Sequence, residues 1–151
     1  MNHDFTIQQL ADAAQLTRYQ VEAWISRGHF KPENPVEPGK ARKYTYHDAI
    51  KLALLAEFSR LGLSATVASM HTAHPFGYQD ADSLLVICQG PVRVSDAIEV
   101  VDQDGEIDHT FRRITRPSEL WRIVEDPDVR SFAAVNIGHA ERRVKKTLGI
   151  A

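Results

Sequence analysis

The chain has 151 residues, of which 43% are hydrophobic and 25% are charged, a composition that excludes wholesale disorder. Apolar runs such as Leu84–Cys88 are far too short to span a membrane, so we expect a cytoplasmic protein. A single cysteine, Cys88, excludes an internal disulfide framework and any site that needs several cysteines from one chain.

The formal net charge of −2 gives no reason to expect a nucleic-acid partner until the charge is located along the chain. From Thr17 to Lys43 the sequence has six basic and three acidic residues, a local net charge of +3. Residues 76–151 have ten basic and thirteen acidic residues, a net charge of −3. A local basic excess attracts a phosphate backbone, so the first half is the candidate nucleic-acid reader.

The first two predicted helices are short and close together. Thr6, followed three residues later by Gln9, forms a capping-box pattern for a helix that ends near Ala14. Thr17 is a second N-cap candidate, and Gly28 stops the helix that it begins. Two short helices joined by a turn of about four residues predict a helix-turn-helix.

A loop and two more helices complete the first half of the chain. Three prolines between Lys31 and Gly39 exclude a helix there, and the basic, aromatic segment 40–46 is predicted to pair as a small strand. A long helix is expected to open at His47 and to end at Gly62. Its predicted buried residues are Ile50, Leu54, Leu55, Phe58 and Leu61. Ser64 is expected to cap a short fourth helix.

The second half mixes strand and helix patterns. Leu84–Cys88 is predicted to be a buried strand, and Asp104-Gly105 is a hairpin signal between two further strands. A helix is expected from Pro117, then a strand over 132–137, then a terminal helix that Gly149 ends. The predicted boundary between the halves lies in the polar segment 74–82. The fold class is therefore predicted to be α+β.

Residues 5–74 resemble the DNA-binding domain of the MerR family of bacterial transcription regulators. The matching residues are, in chain order, Phe5-Thr6-Ile7, Leu10-Ala11, Leu16-Thr17, Trp24, Arg27-Gly28, Lys31-Pro32, Arg42-Lys43-Tyr44, Asp48 and Leu61-Gly62-Leu63-Ser64. The resemblance implies a MerR-like winged helix-turn-helix in residues 1–75. Residues 76–151, which it does not cover, are predicted to be a small α+β module for dimerisation or for binding an effector or partner.

The predicted DNA-binding residues form two groups. The first turn of the second helix would present Thr17, Arg18, Tyr19 and Gln20 to base edges in the major groove, and Arg27 ends that helix. Arginine can bond guanine and glutamine can bond adenine. The wing would place Lys40, Arg42, Lys43 and Tyr44 on phosphates, which positions the protein without reading sequence.

Two features depart from the MerR pattern. Glu22 puts a negative charge where the family commonly carries an arginine, which leaves one backbone contact in doubt. No sustained heptad pattern follows residue 75, although MerR-type regulators typically dimerise through a long C-terminal helix. The α+β half would therefore have to supply any dimer contact.

These patterns predict a sequence-specific transcription regulator that binds double-stranded DNA as a homodimer, without cofactor, metal or enzymatic activity. Two alternatives stay open. In the first, the C-terminal half binds a partner protein, as in an antitoxin-like or prophage-type control protein. In the second, that half senses a small molecule in a pocket lined by large aromatic residues, namely Tyr78, Phe111, Trp121 and Phe132.

Overall fold

A computed structural model of the chain describes residues 4–73, 82–93 and 106–151. The first half holds helices α1 (Ile7–Ala14), α2 (Arg18–Ser26), α3 (Tyr46–Arg60) and α4 (Ala65–Thr72). Strands β1 (Leu84–Arg93) and β2 (Glu106–Thr115) follow, then a 3-10 turn over Pro117–Glu119, helix α5 (Trp121–Val124), strand β3 (Ser131–Asn136) and helix α6 (Ile137–Leu148). The predicted α+β fold is confirmed. No helix in the described ranges is long and apolar enough to cross a membrane.

The ends of the first two helices lie where the sequence predicts them. Thr6 accepts a hydrogen bond from the backbone N–H of Gln9, and the Gln9 side chain accepts one from Thr6, which completes the capping box of α1. At the other end of α1, the Arg60 guanidinium donates to the carbonyls of Ala14 and Gln15 at 2.6 and 2.9 Å. These bonds satisfy helix-end carbonyls that would otherwise lack partners and tie α1 to α3.

Helix α3 is the centre of the main core. It begins one residue before the predicted start, because Thr45 and Asp48 form a capping box around Tyr46. Four of its predicted buried residues are buried, namely Ile50, Leu54, Leu55 and Phe58. Leu61 was expected to be buried as well, but it is 58% exposed. The expectation was wrong because Leu61 is the C-cap of α3, where the chain turns toward Gly62 at φ 99° and leaves the buried face.

The three strands form one antiparallel sheet in the order β2-β1-β3. Strand β1 runs to Arg93, past the predicted end at Cys88, because β2 continues to pair with it. Gly90 allows the carbonyl of Asp128 to approach β1 so closely that a Cβ atom there would overlap it. The predicted hairpin turn at Asp104-Gly105 lies outside the described residues.

The two faces of the sheet pack against different partners. Leu85 and Ile87 point into the main core, which the four N-terminal helices and α6 share. Val86 and Cys88 point the other way and pack with Ile123 of α5 in a second, small cluster. The sheet therefore lies between a helical layer and a thin cover, and the N-terminal helices share their core with the second half. The predicted division into residues 1–75 and 76–151 stays a prediction.

Polar contacts also join the two halves. The Tyr46 hydroxyl donates to Glu141 of α6 at 2.6 Å. Arg143 of α6 pairs with Glu57 of α3. His71 of α4 lies 2.9 Å from the Thr110 hydroxyl on β2. Helix α6 and strand β2 are thus fixed to the helix-turn-helix segment at several points.

Candidate nucleic-acid interface

The first turn of α2 is held by a capping box. The Thr17 hydroxyl accepts from the backbone N–H of Gln20 at 3.1 Å, and the side-chain oxygen Oε1 of Gln20 accepts from the backbone N–H of Thr17 at 2.9 Å. Both side chains are exposed. The bidentate bond of glutamine to adenine needs its amide oxygen and nitrogen together. Gln20 can make that bond only if its side-chain oxygen accepts from the adenine as well as from the Thr17 N–H, or if its bond to the Thr17 N–H breaks.

The next exposed positions of α2 carry a charge pair and an aromatic ring. The Arg18 Nε donates to a Glu22 carboxylate oxygen at 2.9 Å, with both side chains at least half exposed. Tyr19 is 77% exposed, which makes it the most exposed large hydrophobic residue described. The hydrogen bond to Glu22 uses Nε, so the two terminal nitrogens of Arg18 are not its donors. They are the atoms that can fork onto guanine or phosphate.

Two hydrogen bonds from side chains to backbone carbonyls join the segment 40–44 to Asn34 in the proline-rich loop. The Arg42 Nε donates to the carbonyl of Asn34, and the Asn34 amide donates to the carbonyl of Lys43, each at 2.9 Å. Lys43 is 70% exposed and lies 3.7 Å from Asp4, while Lys40 is 75% exposed and lies 3.3 Å from Glu37. Exposed ion pairs of this kind contribute little to stability, so phosphates can replace the carboxylates at small cost.

Asp48, which the sequence shows only as part of the MerR-like motif, is a positioning residue. Its side chain is fully buried, and it accepts from the backbone N–H groups of Glu33 and Thr45 at 3.1 and 3.0 Å. Lys51 lies 3.5 Å away and supplies the opposite charge. The carboxylate thus anchors the proline-rich loop to the start of α3. The Thr45-x-x-Asp48 spacing predicts the helix cap. The hydrogen bond from Glu33 joins residues 15 positions apart, and no local sequence pattern predicts it.

Tyr44 is placed differently from the other predicted contacts. It is 4% exposed and belongs to the main core, and it forms an antiparallel bridge with Phe5. Its backbone N–H donates to Phe5 at 2.9 Å and its carbonyl accepts from Phe5 at 2.8 Å. Burial is the largest cause that raises the pKa of the Tyr44 hydroxyl. The predicted small strand over 40–46 is this single bridge, and the Tyr44 side chain mainly packs in the core.

A groove brings the two groups of predicted residues together. Arg18 and Glu22 of α2 form one wall, and Ala41, Arg42 and Tyr44 form the other. Thr6 and Ile7 at the start of α1 also line the groove, and Ile25 and Ser26 extend the α2 wall. Arg27 lies just beyond it, exposed at the C-cap of α2. The guanidinium-bearing residues from α2 and from the wing thus face one concave surface, as required for one DNA strand to meet both.

The other candidate sites are less developed. Cys88 is fully buried, and burial raises the pKa of its thiol, which keeps it in the unreactive protonated form. Phe111 is half-buried, Trp121 and Phe132 are exposed at 54% and 40%, and Tyr78 lies outside the described residues. His71 lies 2.9 Å from the Thr110 hydroxyl, and His74 lies outside the described residues. In the described ranges, no group of three His, Cys, Asp or Glu could hold a metal ion.

Comparison with known proteins agrees with the geometry of the first half. Residues 5–73 match a family model described as MerR HTH family regulatory protein. The match begins at Phe5, which bridges Tyr44, and ends one residue after α4. It covers the helix-turn-helix, the wing and the two helices that support them. No curated protein matches the chain.

Proposed function

We propose that this chain, whose residues 5–73 match the model of the MerR HTH regulatory family, is a DNA-binding regulator that inserts the N-terminal end of α2 into the major groove. In this arrangement Arg18 and Gln20 read base edges, and Tyr19 contacts the groove wall or the sugar-phosphate backbone. Lys40, Arg42 and Lys43 hold the adjacent phosphates. The groove that Arg18 and Arg42 share is the observation that carries the proposal.

Charge supports this arrangement. Arg18, Arg27, Lys40, Arg42 and Lys43 each carry a positive charge near this groove or at its end. Glu22, Glu37 and Asp4 pair with three of them, and all three pairs are exposed. Each lysine or arginine on a phosphate releases a condensed counterion, so binding should weaken steeply as salt rises. Phosphate contacts fix the position of α2, and the exposed side chains of its first turn then specify the sequence.

The proposed regulator acts as a homodimer on two half-sites. A dimer places its two recognition helices about one helical turn of DNA, or a multiple of it, apart on one face. A half-site spacing of this kind is a geometric expectation that a footprint of the bound DNA measures. Binding of a partner protein or a small molecule by the C-terminal half stays a separate prediction.

The experiment is an electrophoretic mobility-shift titration of the full chain with genomic fragments at several salt concentrations, followed by footprinting of the bound fragments. We expect binding that weakens linearly in log affinity against log salt, with two protected half-sites. Absence of salt-sensitive binding at low ionic strength would overturn the proposal. Binding without preference for any fragment would retain the phosphate contacts and overturn the base-reading role of α2.

A further inference from the structure

The two edges of the sheet differ in a way that points to a partner. Strand β2 forms one edge and carries His109, Arg112 and Arg113. Among the residues that the structure describes, strand β3 forms the other edge, and its sequence from Ser131 to Asn136 contains no charged residue and no proline. Charges, prolines and bulges are the usual means by which proteins prevent edge strands from pairing with other chains. Edge β2 has such protection and edge β3 lacks charge and proline.

The register shows which backbone groups of β3 face outward. Ile137 donates to the carbonyl of Ser83 at 2.9 Å, and the pairing continues from there as Leu84 with Asn136 and Leu85 with Val135. Bonded and non-bonded pairs alternate along an antiparallel ladder. Val135 and Ala133 therefore bond toward β1. The N–H and C=O groups of Phe132 and Ala134, and the N–H of Asn136, point away from the sheet.

The side chains along this edge are apolar. Phe132 is 40% exposed. Ala134 packs at the margin of the small cluster that Val86, Cys88 and Ile123 form. That cluster has only three buried members among the described residues, and the α5 helix that covers it has four residues. Extending the sheet past β3 would bring a new apolar surface against this cluster.

We propose that β3 pairs antiparallel with β3 of a second copy, so that the two sheets join across a two-fold axis at Ala134. The strand is self-complementary, because the outward N–H of Ala134 donates to the C=O of the partner's Ala134 and its C=O accepts from the partner's N–H. Centring the axis on Ala134 also pairs the N–H of Asn136 with the C=O of the partner's Phe132. Any other centre leaves one of the outward-facing positions of the strand unpaired.

A second copy fits this edge better than a charged partner segment does. An isologous interface must be complementary to itself, and an uncharged strand meets itself without repulsion. Across the axis, Ala134 and Phe132 extend the apolar side of each small cluster into its symmetry mate. The inference rests on the homodimer part of the proposed function and supplies the contact surface for it.

The first test measures the solution mass of the full chain by sedimentation equilibrium, without DNA, up to a protein concentration of about 100 μM. We expect a dimer. Ala134→Pro removes one outward N–H without touching the bonds to β1, which edge strands tolerate. Phe132→Lys places a charge on the edge. Each variant should weaken dimerisation by about tenfold or more. Val36→Lys, at a residue that is 71% exposed in the proline-rich loop, is the matched control and should leave the mass unchanged.

The second test is a disulfide across the axis. In a Cys88→Ala background, Ala134→Cys should form a covalent dimer on mild oxidation, since Cα atoms of a bonded antiparallel pair lie about 5.5 Å apart, within disulfide range. His109→Cys on β2 should not cross-link at the same protein concentration. Circular dichroism confirms that each variant is folded before it is scored.

The outcomes are separable. A monomeric wild type overturns the inference and the homodimer, and DNA binding by the monomer in mobility-shift assays would leave the DNA-reading role intact. A dimer that both folded edge variants retain overturns the β3 interface alone. Cross-linking at His109→Cys, with none at Ala134→Cys, would place the contact on the other edge and overturn the inference.

Discussion

Glu22 holds Arg18 by a single hydrogen bond to Nε, 2.9 Å long, in the wall of the groove between α2 and the wing. The order of the pair, with the arginine N-terminal to the glutamate, is the weaker of the two orders for an exposed helix pair. The carboxylate is therefore easily displaced, and it lowers the positive potential where DNA is proposed to bind. It also orients the guanidinium through Nε, and the two terminal nitrogens do not donate in this bond.

Glu22→Gln should tighten binding to non-cognate DNA by a few fold, because it removes a negative charge that faces the phosphates. Glu125→Gln makes the same charge change at an exposed site on the C-terminal half and is the control. Mobility-shift titrations at two salt concentrations measure both. Equal effects of the two variants would show that only net charge matters and would remove Glu22 from the interface.

Arg42→Ala should weaken binding to all DNA sequences alike and should lower the salt slope of log affinity by about one, as expected for the loss of one phosphate contact. Lys43→Ala should act in the same way. Arg42 also donates to the carbonyl of Asn34, so its loss could disturb the loop as well as a phosphate contact. Lys43 is 70% exposed, and its substitution therefore tests the phosphate contact with less effect on the loop. Arg122→Ala, an exposed arginine on α5, should leave binding unchanged. A loss that falls on one DNA sequence only would contradict a phosphate role.

Gln20 has two roles that two substitutions can separate. Gln20→Ala removes the capping box and should lower the free energy of unfolding by about 0.5–1 kcal/mol, as well as relax base preference. Gln20→Glu keeps a side-chain oxygen for the Thr17 N–H and so should retain stability, while losing the amide donor for adenine. Thermal unfolding and a selection from random DNA sites measure the two effects. Unchanged base preference in both variants would make Gln20 a cap and nothing more.

His71 gives the molecule a defined pH response. Burial, with a smaller contribution from Arg112, holds the pKa of His71 below its ordinary value of 6.5. The unfolded chain therefore binds a proton at a higher pH than the folded chain does. His71 therefore contributes to the free energy of unfolding in full above about pH 6.5. This contribution is lost as the pH falls toward the lowered pKa. The unfolding free energy of the wild type should thus drop from pH 7 to 5 by more than that of His71→Gln. Parallel pH profiles for the two proteins would contradict this.

Tyr46 and Glu141 should couple the helix-turn-helix segment to α6. Tyr46→Phe removes a 2.6 Å bond to a carboxylate and should lower the free energy of unfolding by about 1.5 kcal/mol, since hydrogen bonds to charged groups are stronger than neutral ones. A double-mutant cycle with Glu141→Gln, read by urea unfolding, isolates the pair. Additive effects would mean that the bond contributes nothing in solution. Lys145, which lies near both residues, stays in all four proteins as a constant background.

Local signals in the sequence determined most of the helices. The capping boxes at Thr6 and Thr17 and the caps at Ser64 and Gly149 act over three or four residues, so they can be read before the fold is known. The basic excess between Thr17 and Lys43 and the MerR resemblance have the same local origin. They identified the helix-turn-helix and its exposed arginines and lysines.

Only the tertiary structure decided what depends on residues far apart in the chain. It placed Tyr44 in the core through its bridge to Phe5, and it made the buried Asp48 the anchor of the loop at Glu33. It extended β1 beyond Cys88, because the pairing partner and not the apolar run sets the length of a strand. It also put the uncharged strand β3 at an edge. The physical reason is the same in each case: burial and strand pairing bring together segments that are far apart in the chain, and the local sequence of one segment does not indicate its partner.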